Sequence, residues 1–552
     1  MNRTLLDQVR AWIADDPDVD DRSTLSRLVE RGDEVELSRR FAVPLSFGTA
    51  GLRGPVMAGP AGMNRLTVRR TTQGVIAWLD ETGIGRDRGV VVGRDARNGS
   101  EAFNDEVVSV LLGAGVRVIE MPGPLPTPFV AYCVKALGAG AGIMITASHN
   151  PPADNGYKLY SHDGAQIIAP NDEIVERHAR ISTTPPLGDR SSPRHSYVPS
   201  STLDGYREHF AQRFAVPGDS PVPITYTPLH GVGGATMMEL FARAGHSAVT
   251  PVDEQFAPDA AFPTLPFPNP EEPGALDLAI AAADRAGSSL VIANDPDADR
   301  LGAAVRGVDG WHVLRGDEIG WLLASELLGA MDQPSDVVAT TIVSSTLLRE
   351  MAAEANVRFA TTLTGFKWIS RAAADGVLRF GYEEALGYAV DPAVADKDGM
   401  SAALALAKLA HGLSLKGRNL LDRLDEIESH FGVHAVSQLA LRFEGDGAQR
   451  RIAAAASALR VDPPDELGGL AVSDVIDLMA GYQGLAATEG MYLVLGSTGR
   501  VVVRPSGTEP KLKAYIEVVG APVPLDGLAA ERTRAGAVVE AVRGDLARIL
   551  AG

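Results

Sequence analysis

Apolar runs alternate with amphipathic stretches along most of this 552-residue chain, and a strand–helix–strand order recurs three times. In each copy an apolar run is followed by a segment with helical spacing, a glycine or asparagine that ends the helix, and a second apolar run. The first strands are expected at residues 90–92, 222–226 and 337–342. The helices and second strands are expected at residues 101–112 and 116–119, 236–244 and 248–252, and 346–355 and 357–360. The pattern predicts three successive α/β domains of related plan.

The two ends of the chain differ from this repeat. Near the N-terminus, Leu5, Val9 and Trp12 follow helical spacing, which predicts a helical lead-in. Near the C-terminus, strands are expected at residues 491–495, 501–503 and 514–519, followed by a final helix. We therefore expect an α/β protein with three related α/β domains and a C-terminal α+β domain. The expected domains are residues 1–205, 206–328, 329–438 and 439–552.

Composition and charge limit the classes of function. The chain is 45% hydrophobic and 22% charged, as in ordinary globular proteins, and its formal net charge is −19. This charge argues against a general nucleic-acid-binding protein, which usually carries a basic face. No signal-peptide core and no membrane span of roughly 18 apolar residues are found. The single cysteine, Cys133, cannot form an intrachain disulfide, which fits a reducing compartment. Together these features predict a cytoplasmic protein without membrane or nucleic-acid partners.

A polar loop follows the apolar run at residues 143–145 and contains Ser148-His149-Asn150-Pro151-Pro152. Loops at the carboxyl ends of strands are where open α/β sheets bind ligands. The loop places a histidine beside Ser148, and Lys158 follows ten residues later. Taken alone, the segment is also explained by a turn rich in serine and asparagine. The esterase motif Gly-x-Ser-x-Gly is absent from it, which disfavours a hydrolase of that type.

Three aspartates, Asp295, Asp297 and Asp299, stand at alternate positions directly after the apolar run at residues 290–293. Their carboxylates can converge on one hard cation such as Mg²⁺, which prefers oxygen ligands. Without a cation or an arginine they would repel one another after a buried strand. A solvated acidic turn is the alternative, whereas an EF-hand is excluded because Arg300 stands where that loop needs glycine.

Two further loops carry groups that suit a sugar phosphate. Residues 504–511 (Arg-Pro-Ser-Gly-Thr-Glu-Pro-Lys) combine a forked cation, hydroxyls and a glycine turn, as a phosphate cradle needs, without a Walker motif. Residues 381–388 contain adjacent glutamates, and carboxylates accept hydrogen bonds from sugar hydroxyls. Residues 396–399 (Asp-Lys-Asp-Gly) follow this segment. An ordinary turn and an exposed acidic loop are the respective alternatives.

Together and in this order, the four loops resemble those of the α-D-phosphohexomutase family. Residues 47–54 (Phe-Gly-Thr-Ala-Gly-Leu-Arg-Gly) and 364–367 (Thr-Gly-Phe-Lys) are further matches. The resemblance extends from about residue 45 to 520 and is greatest to longer bacterial phosphoglucomutases and phosphomannomutases, a branch that includes phosphopentomutases. It implies a four-domain enzyme whose loops meet in a central cleft.

The resemblance also implies roles for individual residues. The phosphoryl group is expected on Ser148, and Mg²⁺ is expected to be held by Ser148, Asp295, Asp297 and Asp299. The other residues expected in the reaction centre are Arg53, His149, Lys158, Arg300 and Lys397, the last as a proton donor or acceptor. Contacts to the sugar are expected from Thr364, Gly365, Lys367, Glu383 and Ala385. The phosphate that is not reacting is expected to bind Arg504, Ser506, Gly507 and Thr508.

The activity implied is the interconversion of hexose 1-phosphate and hexose 6-phosphate, for glucose, mannose or both. It would proceed through a phosphoserine and a hexose 1,6-bisphosphate, which also acts as activator. Ala385 stands where the family often has serine, and this leaves the preferred sugar open. The alternatives are a phosphopentomutase and a catalytically silent sugar-phosphate-binding protein. A phosphatase with an aspartate nucleophile is disfavoured, because Asp299 stands where that class has threonine or valine.

Overall fold

The structure, a computed structural model, divides the chain into two units. It describes residues 3–48, 51–181, 185–218, 220–443, 447–505 and 511–551. The first unit comprises Met1–Leu314 and Gly387–His411, and the second comprises Arg315–Leu386 and Gly412–Gly552. None of the helices in the described ranges has both the length and the apolar composition needed to cross a membrane.

Three amphipathic helices form the N-terminal lead-in that the sequence predicts. They are α1 (Arg3–Asp15), α2 (Val19–Arg31) and α3 (Glu34–Phe41). Their inner faces bury Val9 and Leu37 in a small core that also contains Ala58. Asp18 begins α2 by accepting hydrogen bonds from the N–H groups of the first turn, and Gly32, with φ of 66°, ends it.

The first sheet has six strands with a parallel centre. Its elements are β1 (Leu52–Pro55), α4 (Arg65–Glu81), a 3₁₀ turn (Arg86–Arg88), β2 (Val90–Arg94), α5 (Ser100–Gly113), β3 (Val118–Pro124), α6 (Thr127–Ala136), β4 (Ala141–Ile145), β5 (Asp154–Ser161), α7 (Asn171–Ile181), β6 (His195–Tyr197) and α8 (Ser200–Arg213). The strand order is β1-β5-β4-β2-β3-β6, and β5 and β1 are the antiparallel additions. Because β2 and β4 are parallel, with Arg94 opposite Ile145, the loops that follow them lie side by side.

The second sheet has five strands in the order β11-β10-β9-β7-β8. Its elements are β7 (Ile224–Thr227), α9 (Gly234–Arg243), β8 (Val249–Pro251), α10 (Asp253–Phe256), α11 (Asp277–Ala286), β9 (Leu290–Asn294), β10 (Leu301–Gly307) and β11 (Gly310–Val313). Strands β8, β7 and β9 are parallel, whereas β10 runs antiparallel to β9. The aspartate segment is therefore the tight connection between a fully buried strand and its antiparallel neighbour.

The second unit begins with a parallel three-layer arrangement. Its elements are α12 (Gly316–Leu327), a 3₁₀ turn (Leu328–Ala330), β12 (Asp336–Thr341), α13 (Leu347–Glu354), β13 (Arg358–Thr362), α14 (Phe366–Ile369) and β14 (Val377–Glu383). Strands β13, β12 and β14 are parallel. The chain then contributes β15 (Gly387–Ala389) and most of α15 (Gly399–Ser414) to the first unit.

The rest of the second unit contains a six-stranded antiparallel sheet, ordered β16-β21-β20-β19-β18-β17. Its elements are α16 (Leu420–Phe431), β16 (His434–Arg442), α17 (Ala448–Val461), β17 (Glu466–Leu467), β18 (Leu470–Asp477), a 3₁₀ turn (Leu478–Ala480), β19 (Met491–Leu495), β20 (Gly499–Pro505), β21 (Lys511–Val519), a 3₁₀ turn (Leu525–Gly527) and α18 (Leu528–Ala551). Residues of β19, β20 and β21 form one core with Val542 and Leu546 of α18.

The expected fold class is confirmed, with three α/β repeats and a C-terminal α+β domain. The predicted strand–helix–strand copies correspond to β2-α5-β3, β7-α9-β8 and β12-α13-β13, and in each copy the two strands are parallel neighbours. The domain limits expected from the sequence stay a prediction. Strand β16 begins at His434, and Gly387–His411 groups with the first unit.

Helix α4 packs closely on α7 at Gly74, and this contact generates a stability prediction. A Cβ atom at residue 74 would lie 2.2 Å from the carbonyl oxygen of Val175. We expect Gly74→Ala to lower the free energy of unfolding by about 1–3 kcal/mol because the helices must separate. Gly536→Ala in α18 is the control, since no heavy atom lies within 4 Å of that Cβ and alanine favours helix by about 0.5–1 kcal/mol. Calorimetric melting in which Gly74→Ala is at least as stable as the wild type would contradict the close contact.

Candidate active site

Ser148 lies in the loop after β4, in a backbone conformation that serine rarely adopts. Its φ is 53°, and the residue is fully buried. Its N–H donates to Oγ1 of Thr146 at 2.9 Å, and its hydroxyl donates to Oδ2 of Asp295 at 2.6 Å. The serine loop therefore turns sharply at Ser148 and directs the hydroxyl at the first of the three aspartates.

Arg97, in the loop after β2, holds the serine loop through its backbone carbonyl groups. Its Nη2 donates to the carbonyl oxygens of Ser148 at 2.6 Å and Asn150 at 2.7 Å, and its Nη1 donates to that of Pro151 at 2.9 Å. Asp95 balances the guanidinium charge, with Oδ2 at 3.4 Å from Nε. One guanidinium group thus binds three backbone carbonyl groups of the serine loop.

The sequence analysis did not single out Arg97, although a usable signal was present. Arg97 follows the carboxyl end of the apolar run at residues 90–92, the same placement that drew attention to Ser148 and to the aspartates. Thr127 was missed as well, and its hydroxyl donates to Oδ2 of Asp297 at 2.5 Å. Nothing in the sequence near Thr127 marks that contact, because Asp297 is 170 residues away.

The three aspartates converge in the turn between β9 and β10. Asp295, Asp297 and Asp299 are fully buried, and one oxygen from each lies within 4.8 Å of the others. Ala298, with φ of 57°, turns the backbone so that alternate side chains point to the same place. The N–H of Arg300 donates to Oδ1 of Asp295 at 2.9 Å. This tight turn provides the oxygen cluster that the spacing predicts.

Two lysines neutralise this cluster. Nζ of Lys158, on β5, lies 2.6 Å from Oδ2 of both Asp297 and Asp299, and Nζ of Lys397 lies 3.0 Å from Oδ2 of Asp299. Burial opposes ionisation of Asp299, but Lys158, Lys397 and Arg300 outweigh it and lower the pKa of this carboxyl below its usual range. The pKa of Asp297 is lowered as well. Burial and the charge of Asp299 oppose its ionisation, but Lys158 outweighs them.

Asp295 differs from its two neighbours. Burial, together with the charges of Asp297 and Asp299, raises the pKa of Asp295 well above its usual range. Within the described residues, Oδ1 of Asp297 and Oδ1 of Asp299 are buried and accept no hydrogen bond. Buried carboxylate oxygens without a donor are costly unless a cation approaches them. This donor set, all oxygen and rich in charge, fits a hard divalent cation such as Mg²⁺.

His149 and Arg53 lie beside this cluster. Nδ1 of His149 is 3.1 Å from the hydroxyl of Ser148. Burial, with the positive charges of Arg300 and Arg53, lowers the pKa of His149 well below its usual value, so the imidazole is neutral near pH 7. Arg53, on β1, donates from Nη1 to Oδ1 of Asn150 at 3.5 Å. All the residues expected in the reaction centre and at the metal therefore belong to the first unit: Arg53, Ser148, His149, Lys158, Asp295, Asp297, Asp299, Arg300 and Lys397.

The residues expected to contact the sugar belong to the second unit. Glu383 ends β14 and is half-buried, as is Ala385 in the turn that follows. Oε2 of Glu384, between them, accepts hydrogen bonds from Oγ of Ser344 at 2.8 Å and Oγ1 of Thr341 at 3.3 Å. The second glutamate of the pair is thus tied to the segment after β12. We call residues 383–385 the sugar loop.

The remaining expected contacts to substrate are also in the second unit. Thr364, Gly365 and Lys367 are half-buried between β13 and the first turn of α14, where Gly365 has φ of 106°. Arg504 is half-buried near the end of β20, opposite Lys513 of β21. Ser506, Gly507 and Thr508 lie outside the described residues, as do Thr49 and Ala50 of the N-terminal motif.

Comparison with protein families matches four successive segments of the chain. Residues 44–184, 204–309 and 315–430 match α/β/α domains I, II and III of phosphoglucomutase/phosphomannomutase, and residues 459–534 match its C-terminal domain. A solved structure of a phosphoglucomutase/phosphomannomutase family protein from Burkholderia thailandensis has the same fold. It gives a TM-score of 0.69 at 20% identity and covers 92% of this chain and 98% of its own.

Individual relatives agree with the family models. A probable phosphomannomutase of Haemophilus influenzae is 38% identical over 467 residues, which cover 83% of this chain and 93% of the relative. The phosphopentomutase of Mus musculus is 34% identical over 562 residues, which cover 94% of this chain and 91% of the relative. With all four domains matched in order, the chain belongs to the phosphoglucomutase/phosphomannomutase family and is an intramolecular phosphotransferase.

Proposed function

We propose that this enzyme interconverts hexose 1-phosphates and hexose 6-phosphates, with glucose, mannose or both as the sugar, through phosphorylated Ser148. The observation that supports this most strongly is the buried hydroxyl of Ser148, which donates at 2.6 Å to a cluster of three aspartates. Burying three carboxylates has a cost in stability that an exposed turn avoids, and such clusters are typical of functional sites.

The reaction consists of two phosphoryl transfers in opposite directions. In the first, the P–O bond to Oγ of Ser148 breaks and a P–O bond to the free hydroxyl of the sugar phosphate forms. The hydroxyl proton passes to Ser148, and the product is a hexose 1,6-bisphosphate. In the second, the other phosphoryl group moves to Ser148 and the proton returns to the sugar. We assign the proton transfer to Lys397, whose Nζ lies 3.0 Å from Asp299.

Asp295, Asp297 and Asp299, with the phosphorylated Ser148, would hold Mg²⁺. The oxygens of Asp297 and Asp299 that accept no hydrogen bond within the described residues support this assignment. When bound, Mg²⁺ supplies electrostatic stabilisation to the charge on the transferring phosphoryl group. The phosphoserine adds about −1.5 to −2 charges, and the lysines that already contact the aspartates help to balance them.

The second unit would bind the part of the substrate that does not react. Arg504, with Ser506, Gly507 and Thr508, would hold the distal phosphate, while Glu383 would accept hydrogen bonds from sugar hydroxyls. Thr364, Gly365, Lys367 and Ala385 would complete the sugar contacts. Between the two transfers the bisphosphate must turn around, so the distal site must accept either of its phosphates. Free hexose 1,6-bisphosphate would then activate the enzyme by phosphorylating a bare Ser148.

A phosphopentomutase is the second candidate function. The phosphopentomutase relative matches over nearly the whole length of both chains, and Ala385 removes a hydroxyl from the sugar loop. The preferred sugar must therefore be determined by comparing the rates at which hexose and pentose phosphates are converted.

We also propose that the enzyme is cytoplasmic and that its partners are small sugar phosphates. Cys133 is fully buried, and burial raises the pKa of its thiol to about 12, so it behaves as an inert apolar group. The net charge of −19 argues against nucleic acid as a partner.

Ser148→Ala tests the phosphoenzyme directly. We expect wild type with Mg²⁺ and traces of bisphosphate to convert glucose 1-phosphate or mannose 1-phosphate faster than ribose 1-phosphate. Ser148→Ala should lose at least about 1,000-fold in kcat because the transferring oxygen is gone. Ser109→Ala, in α5, is the control with wild-type rates. Faster conversion of ribose 1-phosphate would favour the pentomutase, and no turnover of any sugar by folded wild type would exclude a mutase.

Asp297→Asn tests the metal site without relying on activity. We expect Mn²⁺ affinity, measured by calorimetry or electron paramagnetic resonance, to fall by at least about tenfold because one charged ligand is lost. Asp284→Asn is the matched control, since Asp284 is exposed in an ion pair with Arg306. Equal Mn²⁺ binding by wild type and Asp297→Asn would place the cation elsewhere.

Arg97→Lys tests whether the serine loop must be held in one conformation. Lysine keeps the charge, but its donors lie on a single nitrogen and cannot replace the two separate guanidinium nitrogens that bind these carbonyl groups, so Ser148 should shift. We expect kcat to fall about 10- to 100-fold while KM changes little, because Arg97 holds the loop rather than the substrate. Arg88→Lys, at an exposed contact with Gly138, is the control. A wild-type kcat for Arg97→Lys would show that the loop keeps its shape without the guanidinium.

A further inference from the structure

We infer that Arg500 and Glu517 are positioning residues that tie the sugar loop to the strand leading into the phosphate-binding segment. The inference rests on the proposed function, because it concerns how the substrate is held while it turns. Its consequence is specific: Arg504 and the sugar loop are held in one relative position, and loosening the tie releases the bisphosphate between the two transfers.

The tie begins with a buried ion pair in the C-terminal sheet. Arg500 on β20 and Glu517 on β21 are directly opposite each other, and Nε lies 2.6 Å from Oε2. Both are buried, and His434 on β16 adds a contact to Oε1 of Glu517 at 2.9 Å. Burial opposes ionisation of Glu517, but Arg500 outweighs it and lowers the pKa of this carboxyl. The pair therefore stays charged across the range of pH in which enzymes work.

The same pair binds the segment between β12 and α13. The two Nη atoms of Arg500 donate to the carbonyl oxygens of Ile342 and Ser344. Glu517 accepts from the hydroxyl of Ser345 at 2.7 Å and from the N–H of Thr346 at 2.9 Å. Every donor nitrogen of the guanidinium and both carboxylate oxygens are thus used, and four of their hydrogen bonds are to this one segment. The guanidinium also lies over the ring of Tyr492, 5.9 Å from its centroid.

That segment in turn holds the sugar loop. Ser344, whose carbonyl oxygen accepts from Arg500, donates its hydroxyl to Glu384 at 2.8 Å. Thr341 shares this contact: its hydroxyl lies 2.8 Å from Oγ of Ser344 and 3.3 Å from Oε2 of Glu384. A continuous series of short contacts therefore leads from β20 through Ser344 to the residue next to Glu383.

Arg504 lies on the same strand as Arg500. Side chains four apart on a strand lie on the same face, so Arg500 and Arg504 share one face of β20. Moving β20 would displace Arg504 and, through Arg500 and Ser344, the sugar loop with it. A buried ion pair is a poor way to gain stability alone, because apolar residues do as well. Its geometry here serves to fix two substrate-binding segments at one spacing.

A mutase is sensitive to this spacing because it must keep its bisphosphate. If the intermediate leaves after the first transfer, Ser148 remains bare and the enzyme stops until bisphosphate returns. The fraction released per turnover therefore reports how firmly the two groups of contacts hold the turning intermediate, which ordinary loss of stability does not change.

The test uses enzyme carrying ³²P on Ser148, mixed with excess unlabelled sugar 1-phosphate of the kind that wild type converts. Label ends in the sugar 6-phosphate when the intermediate is kept and in free bisphosphate when it is released. We expect Arg500→Lys, which keeps the charge but cannot reach both carbonyls, to raise the released fraction about tenfold. Saturating bisphosphate should restore most of its steady-state rate. Arg460→Lys, in the exposed ion pair with Asp477, should match the wild type.

Three outcomes separate the hypotheses. A released fraction equal to that of wild type in folded Arg500→Lys overturns the inference while leaving the proposed function intact. Failure of wild type to carry label on Ser148 overturns the proposed function itself. If Arg500→Lys does not fold, the doubly neutral Arg500→Met/Glu517→Met variant, which leaves no unpaired buried charge, replaces it. A wild-type released fraction in that variant would equally overturn the inference.

Discussion

Three carboxylates placed together away from water are stable only if positive charge is placed among them. In the first unit this requirement joins segments that are distant in sequence. Lys158 reaches the cluster from β5, and Lys397 reaches it from the segment that returns after β15. That return packs tightly, because a Cβ at Gly399 would lie 2.1 Å from the carbonyl oxygen of Arg300. The fold of the first unit therefore brings two lysines from distant segments to the three buried carboxylates.

Both units use a buried guanidinium to give shape to irregular backbone. Arg97 donates to carbonyl groups of the serine loop, and Arg500 donates to carbonyl groups between β12 and α13. Each is paired with one acidic side chain, Asp95 or Glu517, which keeps the charge in place. Loops without regular hydrogen bonds need such donors, because unsatisfied buried carbonyl groups are costly. Arginine suits this purpose better than lysine because its donors are rigid and diverge.

Much of the fold could be predicted from sequence because the signals are local. Hydrophobic periodicity located all three parallel strand pairs, and polar residues at strand ends located the serine loop and the aspartates. The contacts that complete the site are not local. The hydroxyl of Ser148 meets Asp295 across 147 residues, and Arg97 meets Ser148 across 51. The resemblance to a known family supplied the first contact, but neither pattern nor resemblance indicated Arg97, Thr127 or the role of Arg500.

The left-handed backbone at Ser148 restricts what evolution can place there. A β-branched residue is strongly disfavoured at φ of 53°, because its second γ substituent crowds the backbone. Threonine offers the same hydroxyl and is interchangeable with serine at many phosphorylated positions, yet here it would have to distort the loop that Arg97 holds. A change from serine to threonine at this position is therefore disfavoured by backbone conformation, at a cost of about 1–3 kcal/mol, although the hydroxyl chemistry would be the same.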